Sequence, residues 1–109
     1  MSMGFNQGDI VEVNFSPALG HEPMKTRPAL VVSNDEFNES TSMTMVCPIT
    51  SKDNRFFLHE PVPPGHDVIG FIALEQMRAL DLNARQAEYI DHLDSKEMMP
   101  VIECLRSIF

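Results

Sequence analysis

A chain of 109 residues, 43% apolar and 22% charged, can bury one core without disulfide or metal staples, and no apolar run reaches the length of a membrane span. The N-terminus lacks a basic-then-apolar export pattern, so the expected address is the cytoplasm, with Cys47 and Cys104 as buried reduced thiols. A formal net charge of −8 argues against a surface that binds nucleic acid at large, yet it permits a local cationic cleft on an acidic body.

Residues 8–15 alternate Val11, Val13 and Phe15 with Glu12 and Asn14, the period of a half-buried strand. Residues 16–25 are turn-rich and follow neither period. The continuous apolar run Ala29–Ser33 predicts a strand covered on both faces, and Asn34 or Asp35 can cap one helical turn after it. Met43 to Thr50 is a further strand, with Met43, Met45, Cys47 and Ile49 on one face and Thr44 and Thr50 on the other. Phe56–Val62 and Val68–Leu74 form a strand pair joined through residues 63–67, a connection too long for a tight two-residue turn.

Met77–Leu80 adds a short strand, and Asn83–Leu93 is expected to be a short helix. The last helix carries the stripe Met98, Ile102, Leu105 and Phe109. Pro100 is comfortable only in a first turn, which favours a start near Glu97; the alternative is an earlier cap at Asp94 or Ser95 with a bend at Pro100. Short strands followed by a terminal helix describe a mainly β fold with α additions. The expected form is a small SH3-like antiparallel β-barrel with a C-terminal helix, one domain over 1–109.

The chemistry concentrates in two segments, Thr26-Arg27-Pro28 and Pro48-Ile49-Thr50-Ser51. If their strands pair, Arg27 and Thr50 meet at one rim, and a permanent planar cation beside a hydroxyl suits a phosphodiester. Six of the eight basic residues (Lys25, Arg27, Lys52, Arg55, Arg78 and Arg85) lie in or beside these segments, while the tail is acidic. Together with Gly8-Asp9-Ile10-Val11 and Glu75-Gln76-Met77-Arg78, the pattern resembles the MazF/PemK family of toxin endoribonucleases from about Gly8 to Asp81.

That resemblance implies a metal-independent, sequence-specific endoribonuclease acting on single-stranded RNA. It implies 2′-hydroxyl attack that leaves 2′,3′-cyclic phosphate and 5′-hydroxyl ends, a homodimer, and a cognate antitoxin peptide as partner. No cofactor is expected. Arg27 would be catalytic and Thr50 its companion on the phosphate; the competing readings are an ion-paired strand-start arginine and a threonine bonded to its own backbone.

His21 or Glu22, in Gly20-His21-Glu22, would move the proton, against the alternative of a solvent-facing loop. Phe15, Lys25, Ser51, Lys52, Arg55, Glu75, Gln76 and Arg78 are candidates for RNA contact. For Phe15 a place in the core is the stronger reading, and Glu75 is also a candidate to orient Arg27. Ala73 stands where one branch of the family has an arginine, so that role does not transfer. Pro23-Met24-Lys25 replaces the glycines of many relatives, so a borrowed cleavage sequence does not transfer either.

His59, His66, Asp67 and His92 lack metal-ligand spacing. Two rivals share the barrel: a gyrase-poisoning toxin, and a catalytically weak interaction module favoured by the acidic balance.

Overall fold

The computed structural model describes residues 4–15, 26–52 and 58–109. The strands are β1 (Asp9–Asn14), β2 (Thr26–Val31), β3 (Thr44–Thr50), β4 (His59–Pro61), β5 (Phe71–Ala73), β6 (Arg78–Leu80) and β7 (Glu88–His92); the helices are α1 (Asp35–Thr41) and α2 (Ser95–Arg106). All pairings are antiparallel, in the order β4-β5-β3-β2-β1-β7, with β6 also on β3. The expected barrel is thus a strongly twisted, barrel-like sheet whose ladder does not close between β4 and β7.

Side-chain alternation sorts this sheet into two apolar layers. Ile10, Leu30, Cys47 and Ile49 pack with Met98, Val101 and Leu105 of α2, whereas Val11, Val13, Ala29, Val31 and Val46 pack with Leu80 and Leu82. The unbroken run in β2 follows directly, since both of its faces are covered. Burial pushes the Cys47 thiol up to about 12, with Glu75 adding to the rise, so it remains a packed, protonated group.

Three readings of local structure change. Residues 88–92 are not helical: they form β7, which takes the free edge of β1, and Gln86 at φ +56° ends the preceding turn. Glu88-Tyr89-Ile90 carries residues that suit a pleated surface, and the unpaired edge of β1 outweighs local helix preference. The last helix starts earlier than Glu97. Asp94 accepts from the Glu97 N–H at 2.8 Å while Glu97 accepts from the Asp94 N–H at 3.0 Å, a reciprocal cap that outweighs the exposed Pro100 within the helix. Its buried stripe is Met98, Val101 and Leu105; Phe109 lies past the helix end and is 88% exposed.

Removing half of that reciprocal cap should weaken the fold without touching the core. Asp94→Ala is expected to lower unfolding free energy by about 1 kcal/mol in urea titrations. An unchanged midpoint would mean that the cap contributes nothing.

Candidate active site

The backbone of β2 decides where a cleft can open. The Val32 N–H donates to the Met45 carbonyl at 2.9 Å, so by alternation Leu30 and Pro28 also turn their backbone groups toward β3. Pro28 has no N–H to give, and the β2–β3 ladder stops at the pair Ala29/Pro48. Pro48, one step out of phase with Met45, turns its own missing donor to the opposite edge of β3. There it falls in the gap between β6, which ends at Val46, and β5, which begins pairing at Ile49. The two prolines therefore mark where β3 loses one neighbour and exchanges another.

Carrying the β2–β3 register two residues beyond its last pair sets Arg27 opposite Thr50. Both side chains fall on the face of Ala29, Val31 and Val46. A cleft of about 430 Å³ opens there, lined by Arg27, Pro28, Ile49, Thr50, Ser51, Lys52 and Ile69. Arg27 is exposed, and among the described residues no carboxylate stands within ion-pairing distance of its guanidinium.

The Thr50 hydroxyl oxygen accepts from the Lys52 N–H at 3.2 Å. Its acceptor side is engaged by the backbone, so its own proton remains available to donate. The local turn and the outward donor are therefore compatible in one residue.

Arg78 stands opposite Val46 and so shares this face; its guanidinium lies 5.5 Å from the centroid of the Phe15 ring. Phe15 is half-buried against the second apolar layer, with one ring face given to Arg78. Ser51 and Lys52 are exposed at the cleft.

Glu75 belongs to a different contact. Its carboxylate takes Nε2 of the buried His59 at 3.0 Å and the amide of Gln76 at 3.4 Å, so it is not the group that orients Arg27. Burial raises the Glu75 pKa, but the His59 hydrogen bond and the local backbone outweigh it and leave the carboxyl below its ordinary value. Gln76 is exposed beside it. His21, Glu22, Lys25 and Arg55 lie outside the described residues.

Two residues at or beside the cleft were not expected. Ile69 is 93% exposed at its wall. Gly70, at φ +153°, lies so close that a Cβ there would stand 2.6 Å from the Thr50 carbonyl oxygen. An isolated glycine within an apolar strand-like run is the sequence signal for such an approach.

A sequence profile of the PemK-like, MazF-like toxins of type II toxin–antitoxin systems matches residues 6–109. The endoribonuclease toxin ChpB of Escherichia coli K12 is 44% identical over 91 residues, 79% of this chain and 78% of its own. The endoribonuclease EndoA of Bacillus subtilis is 33% identical over 92% of this chain and 90% of its own. Among solved structures, MazF of Deinococcus radiodurans superposes with a TM-score of 0.82 at 30% identity, over 98% of this chain and 97% of its own. A MazE–MazF complex from the same organism gives 0.83 at 31%, over 94% and 93%. With nearly its whole length matched, the chain belongs to the PemK-like, MazF-like toxins of type II toxin–antitoxin systems.

Proposed function

We propose that this endoribonuclease toxin cleaves single-stranded RNA in the cleft between β2 and β3, sequence-specifically and without a metal ion, using the substrate's own 2′-hydroxyl as nucleophile. The observation that carries this reading is the shared lining of one cleft by Arg27 and Thr50. The 2′-oxygen attacks phosphorus, the bond from phosphorus to the 5′-oxygen breaks, and the departing oxygen takes a proton. The products are a 2′,3′-cyclic phosphate and a 5′-hydroxyl.

Arg27 supplies a planar cation to the charge that accumulates on the equatorial oxygens. Thr50 donates its hydroxyl proton to one of those oxygens, and Lys52 adds a second positive charge at the rim. The described lining offers no carboxylate, imidazole or thiolate; in this reading the family-like Gly20-His21-Glu22 supplies the group that moves the proton, His21 or Glu22. Phe15, Ser51 and Arg78 serve RNA contact on the same face, with Lys25 and Arg55 as further contacts and Gln76 and Glu75 beyond the cleft. The toxin works as a homodimer in the cytoplasm and is neutralised by an antitoxin peptide, as the MazE–MazF pairing of a neighbour suggests.

Purified protein incubated with single-stranded RNA tests each part. Arg27→Ala is expected to lower kcat by about 100-fold or more, and Arg27→Lys restores little because an ammonium lacks the planar fork. Thr50→Ser retains more activity than Thr50→Ala. Cleavage that survives both alanine substitutions removes the site.

Cleavage is also expected to persist in EDTA and to leave 5′-hydroxyl ends that a polynucleotide kinase phosphorylates without prior phosphatase treatment, and 3′ ends that become free hydroxyls only after the cyclic phosphate is removed. Loss of cleavage in EDTA would overturn the metal-free chemistry.

Gly70→Ala tests the support of Thr50. The added Cβ must displace the Thr50 carbonyl, at a cost of about 1–3 kcal/mol in stability. Cleavage should fall with Arg27 and Thr50 both intact, and a variant with wild-type unfolding and turnover would show that Gly70 is dispensable.

A further inference from the structure

The open sheet needs something across its gap. In strand order β4 and β5 stand at one end and β7 at the other, with no ladder between them. The β4–β5 connection, residues 62–70, crosses that interval. At its tip the His66 ring meets Asp91 of β7 through Nδ1 at 2.8 Å and Glu97 of α2 through Nε2 at 2.9 Å. The Asp67 N–H adds a third bond, to the same Asp91 oxygen at 3.0 Å. At its neck the Val62 N–H donates to the Gly70 carbonyl at 2.9 Å. Beside that neck Ile69 lines the Arg27/Thr50 cleft, and Gly70 lies against the Thr50 carbonyl.

We propose that His66, as an imidazolium bonded at both ring nitrogens, is a positioning residue for RNA cleavage: it clasps the two ends of the sheet and so holds Ile69 and Gly70 against Thr50.

The charge state follows from donor counting. Asp91 and Glu97 are both acceptors here. Asp91 also takes N–H groups of Asp67 and His92, and Glu97 also takes the Asp94 N–H. A neutral imidazole has one N–H, so two bonds to two carboxylates require the cation. The surroundings agree: the hydrogen bond to Glu97, then that to Asp91, raise the His66 pKa above its ordinary value against a smaller opposing effect of burial. Asp91 is held down to about 2 by the Asp67 and His92 N–H groups and then by His66.

From β7 the other titratable neighbour, His92, is turned to Asp9 at 2.7 Å, and from α2 Asp94 is turned back to the Glu97 N–H. Asp67 stands exposed on the loop itself. The clasp is therefore complete below the ordinary imidazole pKa and is released as pH rises through the raised value in the folded chain. At the acid end its Asp91 half persists until pH falls through the depressed value of Asp91. Only Asp67 and Val68 separate His66 from Ile69, and the Asp67 N–H is itself held by Asp91, so movement at the tip carries along this short limb toward Ile69 and Gly70.

This inference rests on the Arg27/Thr50 cleft being the cleavage site, and the experiment separates the two. The His66 ring, the Ile69 methyls and the Gly70 amide are followed by NMR across a pH titration of the wild-type protein. All three are expected to share one midpoint above the free imidazole value. In parallel, RNA cleavage is measured for wild type, His66→Gln and Arg27→Ala.

His66→Gln should raise KM about tenfold at about pH 6, where the clasp is closed, and the difference should vanish at alkaline pH as the wild type opens. Taking the ratio of the two proteins cancels any titrating base elsewhere. A ratio that does not change with pH, or Ile69 and Gly70 signals that ignore the His66 titration, overturns the clasp. Should His66→Gln not fold, the wild-type resonances alone decide. Full activity of Arg27→Ala overturns the cleavage site instead, while the resonances still report on the clasp.

Discussion

A missing backbone donor at Pro28 governs the arrangement of this protein. Between β2 and β3 the ladder runs in register through Val31/Val46, Leu30/Cys47 and Ala29/Pro48, and then stops. Any other residue at position 28 could extend it by one more bond on that edge. Because the strands end their pairing there, yet keep the spacing that the ladder imposed, Arg27 and Thr50 face each other across an opening. The rest of the core supports that geometry: Ala29, Val31 and Val46, each fully buried, lie one or two steps inward on the same face. Residues that pack the second layer and residues that line the cleft thus belong to one alternation.

The acidic balance, −8 for the chain, stops mattering at short range. Charges further apart than about 8 Å are largely screened at physiological ionic strength, so a phosphate at the cleft responds to its immediate lining. Among the described residues that lining carries Arg27 and Lys52 and no acid. Several described acids are elsewhere: Glu12 stands directly opposite Glu88 across the β1–β7 pair, and Asp91 and Glu97 are committed to His66. Arg85, one of the six basic residues near the motif segments, is committed too, since its Nη1 donates to the Asn14 carbonyl at 2.7 Å. A few cations on one face, against an acidic remainder, fit a short bound segment of nucleic acid and disfavour long non-specific tracks.

Periodicity and motif spacing made β1, β2, β3, the β4–β5 pair and β6 legible, because each carries its own apolar signature. They also brought Arg27 and Thr50 to a common rim. What escaped was decided between distant segments. Residues 88–92 look locally helical, and only the free edge of β1 makes them a strand. Pro100 argues for a late helix start, and the Asp94–Glu97 reciprocal cap argues against it; the cap's two bonds prevailed. Glu75 seemed available to Arg27 until the fold placed the buried His59 beside it. Ile69 carries no reactive group, so only its position at the cleft identifies it, while Gly70 left no more trace than an isolated glycine within an apolar run.

The histidines make the same point about joints. Scattered along the chain, they look unconnected, yet His59, His66 and His92 each bond a carboxylate from another element, across separations of 16 to 83 residues. Each fully buried side chain of the apolar layers contributes about 1.5–3 kcal/mol, and these layers, rather than a few imidazole–carboxylate pairs, hold most of the chain. The fold therefore does not hang on them. Their leverage is over position: they tie loop to strand and strand to helix where the ladder supplies no bond. A change in imidazole charge then reaches the loop that walls the cleft long before it reaches the core, and a protein built this way can alter its site while keeping its fold.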